Sequence, residues 1–157
     1  MIIAPHEPTG DHLAPIQRWC ERESLTCARL GSTAAPDASV VIVDRVGVLG
    51  DLYALADVAF VGGGFHAAGL HSVLEPAAFG APVVFGPRHT ASRDARLLLD
   101  ARAAAAAYDS TSLEAALEAW LDDPPARRAA GDAAREVVRR GLGAAERSYE
   151  LIAELMR

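Results

Sequence analysis

The residues able to do chemistry in this chain gather in a few short, turn-like stretches. They read Pro5-His6-Glu7-Pro8, Asp44-Arg45-Val46-Gly47, Gly62-Gly63-Gly64-Phe65-His66 with the continuation Gly69-Leu70-His71-Ser72-Val73-Leu74-Glu75-Pro76, and Phe85-Gly86-Pro87-Arg88-His89. Three successive residues without a Cβ let neighbouring backbone N–H groups turn inward and approach an anion closely. Gly62, Gly63 and Gly64 therefore suit a phosphate, and a helix start a few residues later would add its positive end. A turn chosen for tight geometry alone fits the same three glycines. The pattern is neither GxGxxG nor a P-loop, since no lysine follows.

Ser72-Val73-Leu74-Glu75 spells a capping box, which would make both polar side chains structural. Pro76 disturbs it. With Ser72 as the N-cap, the missing N–H of Pro76 would leave the Ser72 carbonyl without its helical partner. A helix beginning near Val73 instead frees the Glu75 carboxylate to accept hydrogen bonds from vicinal hydroxyls such as those of a ribose. On spacing alone the structural and ligand roles stand level.

His66, His71, Glu75 and His89 mix imidazole with carboxylate, but no HxxxH or HExxH pair fixes two ligands on one face. Hydrogen bonding to phosphate or sugar is preferred to a metal. No GxSxG elbow is present. Asp44 could bind a ligand, cap the short helix that follows or form a salt bridge in the neighbourhood of Arg45, with capping or turn support the default, and Asp11, beside Gly10, reads as an N-cap.

These stretches need elements to position them, and the hydrophobic pattern supplies them. Short apolar runs alternate with helical patterns, the signature of βα units around a mainly parallel sheet. Strands are expected at Ile2–Ala4, Leu25–Arg29, Ser39–Val43, Val58–Val61, Pro82–Phe85 and, weakly, Ala103–Ala107. Helices are expected at Asp11–Glu23, Leu49–Leu55, Ser72–Phe79, Ala91–Asp100, Ser112–Leu121, Pro124–Arg140 and Ala144–Met156. Gly80 closes one of them as a left-handed residue, and Asp123 caps another ahead of Pro124. In such a sheet ligands bind beyond the carboxyl ends of strands, which is where the chemistry-bearing stretches fall.

Composition bounds the rest. The 157 residues fit one α/β domain, able to bury roughly 70% of its unfolded surface. A net charge of -6 with scattered arginines gives no footprint for nucleic acid. Cys20 and Cys27 form no CxxC, which argues for a reduced, intracellular protein without a disulfide framework or zinc finger. No signal peptide or membrane-length apolar run is visible. Met1 leads directly into a core strand, so the chain reads as a fragment.

Taken together, the segments resemble the Kdo (3-deoxy-D-manno-octulosonic acid) transferases. The run from Asp44 to Phe65 is similar to that family's central signature. Gly69-Leu70-His71-Ser72-Val73-Leu74-Glu75-Pro76, leading to Pro82-Val83-Val84-Phe85-Gly86-Pro87, follows its G-x-H-N-x-x-E-P and PV-x-x-GP pattern. Ile2-Ile3-Ala4-Pro5-His6-Glu7-Pro8 resembles the opening of the family's C-terminal domain, and Gly141-Leu142-Gly143-Ala144 its penultimate turn.

The resemblance implies a Rossmann-like parallel sheet with helices on both faces, the C-terminal half of a GT-B glycosyltransferase. Residues 1–157 would be the nucleotide-sugar-binding domain, lacking an N-terminal acceptor domain that carries the catalytic carboxylate and membrane attachment. The implied activity is transfer of Kdo from CMP-Kdo to a lipid A precursor, in lipopolysaccharide biosynthesis at the cytoplasmic side of the inner membrane. The isolated chain would bind the donor without catalysing, and no metal or other cofactor is implied.

By position, Pro5 and His6 would lie near cytidine, Val46 and Gly47 against the base, and Gly62, Gly63, Gly64 and Phe65 near phosphate. Ser72 and Glu75 would meet phosphate and ribose, with His71 as a further donor contact. Two departures stand out: His6 where many members have arginine, and Ser72 in place of the usual asparagine. Each trades a contact for a weaker or shorter one. The alternatives are the donor half of a GT-B enzyme using a UDP-sugar, and a stand-alone nucleotide-binding module.

Overall fold

The computed structural model describes residues 1–67 and 69–156, apart from the side chains of residues 144 and 145. It divides into two compact units, Met1–Asp51 and Leu52–Arg157.

In the first unit, strands β1 (Ile2–Ile3), β2 (Cys27–Arg29) and β3 (Val40–Ile42) pair in parallel in the order β1-β3-β2. Parallel strands of one sheet need a crossover, and helix α1 (Gly10–Arg22) supplies the one from β1 to β2, which lie on opposite sides of β3. Its Leu13 and Cys20 pack with Val40 and Ile42 of β3, flanked by Ile3, Ile16, Trp19 and Leu25. The N-cap of α1 is Thr9, not Asp11 as the sequence suggests. The Thr9 carbonyl accepts from the His12 and Leu13 amides, and Asp11 falls in the first turn, where its charge still suits the positive helix end.

The expected helix Leu49–Leu55 divides into α2 (Leu49–Leu52) and a tighter 3-10 turn at Tyr53–Leu55. The second unit continues with β4 (Ala59–Val61), α3 (Leu74–Phe79), β5 (Val83–Phe85), α4 (Arg93–Asp100) and β6 (Ala104–Ala106). Helices α5 (Ser110–Leu121), α6 (Pro124–Gly141) and α7 (Ala144–Leu155) complete it. Its strands are again parallel, in the order β4-β5-β6.

The centre of this sheet is Val83-Val84-Phe85, every residue fully buried, as expected of an inner parallel strand. Around it pack Val61, Val73, Ala77, Ala95, Leu98, Ala103, Ala104 and Ala134. The many alanines let helices lie close to the sheet and to one another. At Gly131 of α6 the approach is closest, because any Cβ there would run into the Gly80 carbonyl oxygen.

Local signals set the helix ends. Ser92 caps α4 by accepting from the Ala95 amide at 3.2 Å, so the helix starts two residues later than its pattern suggests. Asp109 and Ser112 form a reciprocal capping box, which starts α5 at Ser110 and makes Ser112 its third residue rather than its first. Asp123 caps α6 as expected, accepting from Ala126 at 2.9 Å. Gly80 ends α3 in the left-handed conformation, φ +80°. The expected alternation of strands and helices is thus present, and among the described residues six parallel strands are hydrogen-bonded as two three-stranded sheets.

Candidate functional site

In the first unit, β1 and β3 are adjacent and in register, with Ile3 opposite Ile42. The loops that follow them therefore leave the same sheet edge, and they carry Pro5 and His6 on one side, Val46 and Gly47 on the other. Pro5 is half-buried and His6 exposed. Val46 stands 78% exposed, a large apolar side chain displayed to solvent. Gly47 has φ +83° with open space where a Cβ would be, so its backbone conformation alone calls for glycine.

Asp44 neither caps α2 nor stands free. It accepts from Arg45 at 3.2 Å and from Arg29 at 3.5 Å, while Arg45 also donates to the Leu30 carbonyl at 2.7 Å. Desolvation pushes the Asp44 carboxyl upward, but the bonds and charges of Arg45 and Arg29 outweigh it and hold the group below the usual carboxylate value. The cluster is a strut between the ends of β2 and β3.

In the second unit, β4 and β5 are adjacent, with Val61 opposite Phe85, so the turns following them share an edge. The first holds Gly62, Gly63, Gly64 and Phe65; the second holds Gly86 to His89. Gly63 has φ +88°, and a Cβ on it would run into the Gly69 carbonyl oxygen. A Cβ on Gly64 would lie 2.7 Å from the Gly86 nitrogen. Two of the three glycines are therefore required by the turn itself, whatever ligand it meets. Gly62 is different: the nearest atom to a Cβ there is the His71 Cδ2 at 4.0 Å. Its carbonyl accepts from the His71 amide at 3.3 Å, which folds the loop back on itself. Among the described residues no carbonyl accepts from the N–H of Gly63 or Gly64.

Helix α3 begins at Leu74 with Val73 as N-cap and no side-chain cap, so the Ser72–Glu75 capping box does not form. The absent N–H of Pro76 shifts the start as the sequence implies. Ser72 lies before the helix, Glu75 in its first turn, and both are exposed. With only six residues, α3 has a small dipole, so its N-terminal end has little attraction to offer an anion.

His71 is exposed and borders Gly63, its Cδ2 3.2 Å from where a Cβ would be. Phe65 is exposed and lies 6.3 Å from the Phe60 ring. His89 serves the fold: its Nδ1 pairs with the Gly86 carbonyl at 3.2 Å and its ring lies 5.2 Å from Phe85. Among the described residues, no group of three His, Cys, Asp or Glu side chains is placed to hold a metal ion.

Tyr53 lies close enough to Glu75 to feel its charge, a relation that no sequence spacing marks. Burial raises its phenol above the usual tyrosine value, and the negative charge of Glu75 raises it further. Gly86 sits in a recognisable strand-following stretch, but its role as the backbone partner of Gly64 depends on the β4–β5 pairing and has no local signal.

No protein-family model matches the chain. Curated relatives do. The 3-deoxy-D-manno-octulosonic acid transferase of Haemophilus influenzae is 29% identical over 97% of this chain and 36% of its own length. That of Chlamydophila psittaci is 39% identical over 57% of this chain and 21% of its own. The chain thus spans only about a third or less of these relatives. Among solved structures, the C-terminal CMP-Kdo binding domain of WaaA from Acinetobacter baumannii matches with a TM-score of 0.75 at 28% identity, covering 87% of this chain and 72% of that one. The expected Rossmann-like α/β fold is the fold of that domain. In sequence and in fold, the chain belongs with the C-terminal domains of the 3-deoxy-D-manno-octulosonic acid transferases.

Proposed function

We propose that this chain is the donor-binding part of a glycosyltransferase that moves Kdo from CMP-Kdo to a lipid A precursor, the acceptor being held by an N-terminal domain of the whole protein. The acceptor hydroxyl attacks the anomeric carbon, the bond to the CMP phosphate breaks, and the phosphate leaves with the electron pair. This chain's part is to hold the cytidine, orient the phosphate and stabilise the charge that develops on it. Donor and acceptor are the only small molecules the reading requires. The whole protein would work at the cytoplasmic face of the inner membrane; no described helix of this chain is long and apolar enough to cross a membrane.

The observation that carries the reading is the pair of N–H groups at Gly63 and Gly64, which serve no described carbonyl. They lie in a chain related along most of its length to a CMP-Kdo binding domain. Glu75, exposed and released from any capping role, suits the ribose hydroxyls, with Ser72 and His71 beside it. The first unit, taken by itself, displays the apolar side chain of Val46, which suits a base, next to the loop that carries Pro5 and His6.

Calorimetry on the chain with CMP and UDP tests this. CMP should bind at least about tenfold more tightly than UDP, a difference of about 1.4 kcal/mol. Glu75→Ala should weaken CMP by a similar factor. A preference for UDP would favour a UDP-sugar enzyme, and unchanged affinity in Glu75→Ala would remove the proposed ribose contact.

A further inference from the structure

We propose that Arg88 is the cation that receives the donor phosphate at the glycine turn. This rests on the nucleotide-sugar reading above and adds a residue to it.

Arg88 is fastened to the turn by its backbone. Its N–H donates to the Gly64 carbonyl at 2.9 Å, and Gly86, two residues earlier, lies against Gly64 backbone to backbone. The Pro87 ring fixes φ between them, and the bond from His89 to the Gly86 carbonyl closes the far side. The Arg88 Cα is thus held beside the two glycines whose N–H groups serve no described carbonyl.

Charge singles out the same residue. The loops leaving the carboxyl edge of this unit are 62–73, 86–92 and 107–109, and Arg88 is the sole arginine or lysine in them. Its side chain is exposed and makes no ion pair or hydrogen bond among the described residues. Four arginines of α6 are engaged, Arg127 with Asp57, Arg135 with Asp132, and Arg139 and Arg140 with Glu136. The comparable residue of the first unit, Arg45, is paired with Asp44.

A chain of net charge -6 repels an incoming phosphate, and loop amides offer only partial charges against that background. A permanent, forked cation next to the amides supplies the missing charge and matches phosphate oxygens two at a time.

The test is calorimetry on the chain with CMP and with cytidine, which lacks the phosphate. Arg88→Ala should weaken CMP by about tenfold or more and leave cytidine unchanged. Arg88→Lys should fall between, and the salt dependence of CMP binding should flatten in Arg88→Ala. Melting temperatures should match the parent, because each variant keeps the backbone N–H. If Arg88→Ala proves unstable, Arg88→Gln replaces it with the same expectation. Tight CMP binding by the parent with no loss in the variants overturns the role of Arg88 alone. If the parent binds CMP no better than cytidine, the phosphate cradle fails and Arg88 with it.

Discussion

Gly64 and Gly86 meet backbone to backbone, so that a Cβ on Gly64 would stand 2.7 Å from the Gly86 nitrogen and one on Gly86 2.6 Å from the Gly64 carbonyl oxygen. Neither neighbour is a flexible side chain that can swing away. Gly64→Ala should therefore separate the turns after β4 and β5 and cost about 1–3 kcal/mol, read from urea unfolding. Gly62→Ala should cost less than about 0.5 kcal/mol, because its Cβ would meet only the His71 Cδ2, at an ordinary contact distance of 4.0 Å. A loss of CMP affinity in Gly62→Ala would then report on the ligand, whereas Gly63→Val would confuse ligand with fold. Equal stability of Gly62→Ala and Gly64→Ala would contradict the packing described.

Glu75 should be dispensable for stability and visible in the titration of Tyr53. Burial raises the Tyr53 phenol first, and the Glu75 charge adds to it. Removing that charge with Glu75→Gln stabilises the phenolate, so the Tyr53 value should fall while staying above 10.0, since burial persists. Ultraviolet titration in a background of Tyr108→Phe and Tyr149→Phe isolates the group. A Tyr53 value that does not move would show that the two side chains do not share a field.

What could be read in the sequence, and what could not, follows from the range of each interaction. The Pro76 argument displaces the helix start from Ser72 because it concerns a bond between residues four apart, and α3 begins after Ser72 as it requires. Asp123 before two prolines is equally local and caps α6 as expected. Asp11 is the misleading case: the helix starts two residues earlier, at a Thr9 cap that uses its carbonyl and no side-chain bond, and so leaves no side-chain signal. The fate of the triple glycine was beyond local reading. Gly63 answers to Gly69, and Gly64 to Gly86 on the next strand's turn, and only the folded pairing of β4 with β5 brings the latter together. Tyr53 and Glu75 likewise lie on separate elements, with no spacing to announce them.

The helix that carries Glu75 is held from behind by α6, and this anchor can be weakened without touching the site. Arg135 donates to the Phe79 carbonyl at 2.8 Å, satisfying the C-terminal end of α3 with a charge of favourable sign. Gly131 lets α6 approach until no Cβ would fit beneath the Gly80 carbonyl. Arg135→Ala should cost about 1 kcal/mol, since the guanidinium is partly exposed and water replaces some of the bond. Gly131→Ala should cost more, despite the higher helix propensity of alanine, because the clash is with backbone. Urea midpoints order the two variants; a stabilised Gly131→Ala would mean that α6 does not pack on the end of α3 as described.

Acid should weaken α6 through Glu136. Hydrogen bonds from Arg139 at 2.6 and 2.7 Å, and from Arg140 at 2.7 Å, hold its carboxyl at about 2, against an ordinary value of 4.5. A carboxylate depressed in the folded state stabilises it fully above the unfolded value and loses that contribution as the pH falls through the folded one. The gap in melting temperature between the parent and Glu136→Gln should therefore be widest above pH 4.5 and close as the pH approaches about 2. Because both arginines are largely exposed and Glu136 partly so, the gap should be small and should shrink further with added salt. A gap that widened toward low pH would reverse the sign and exclude the two arginines as the source of the shift.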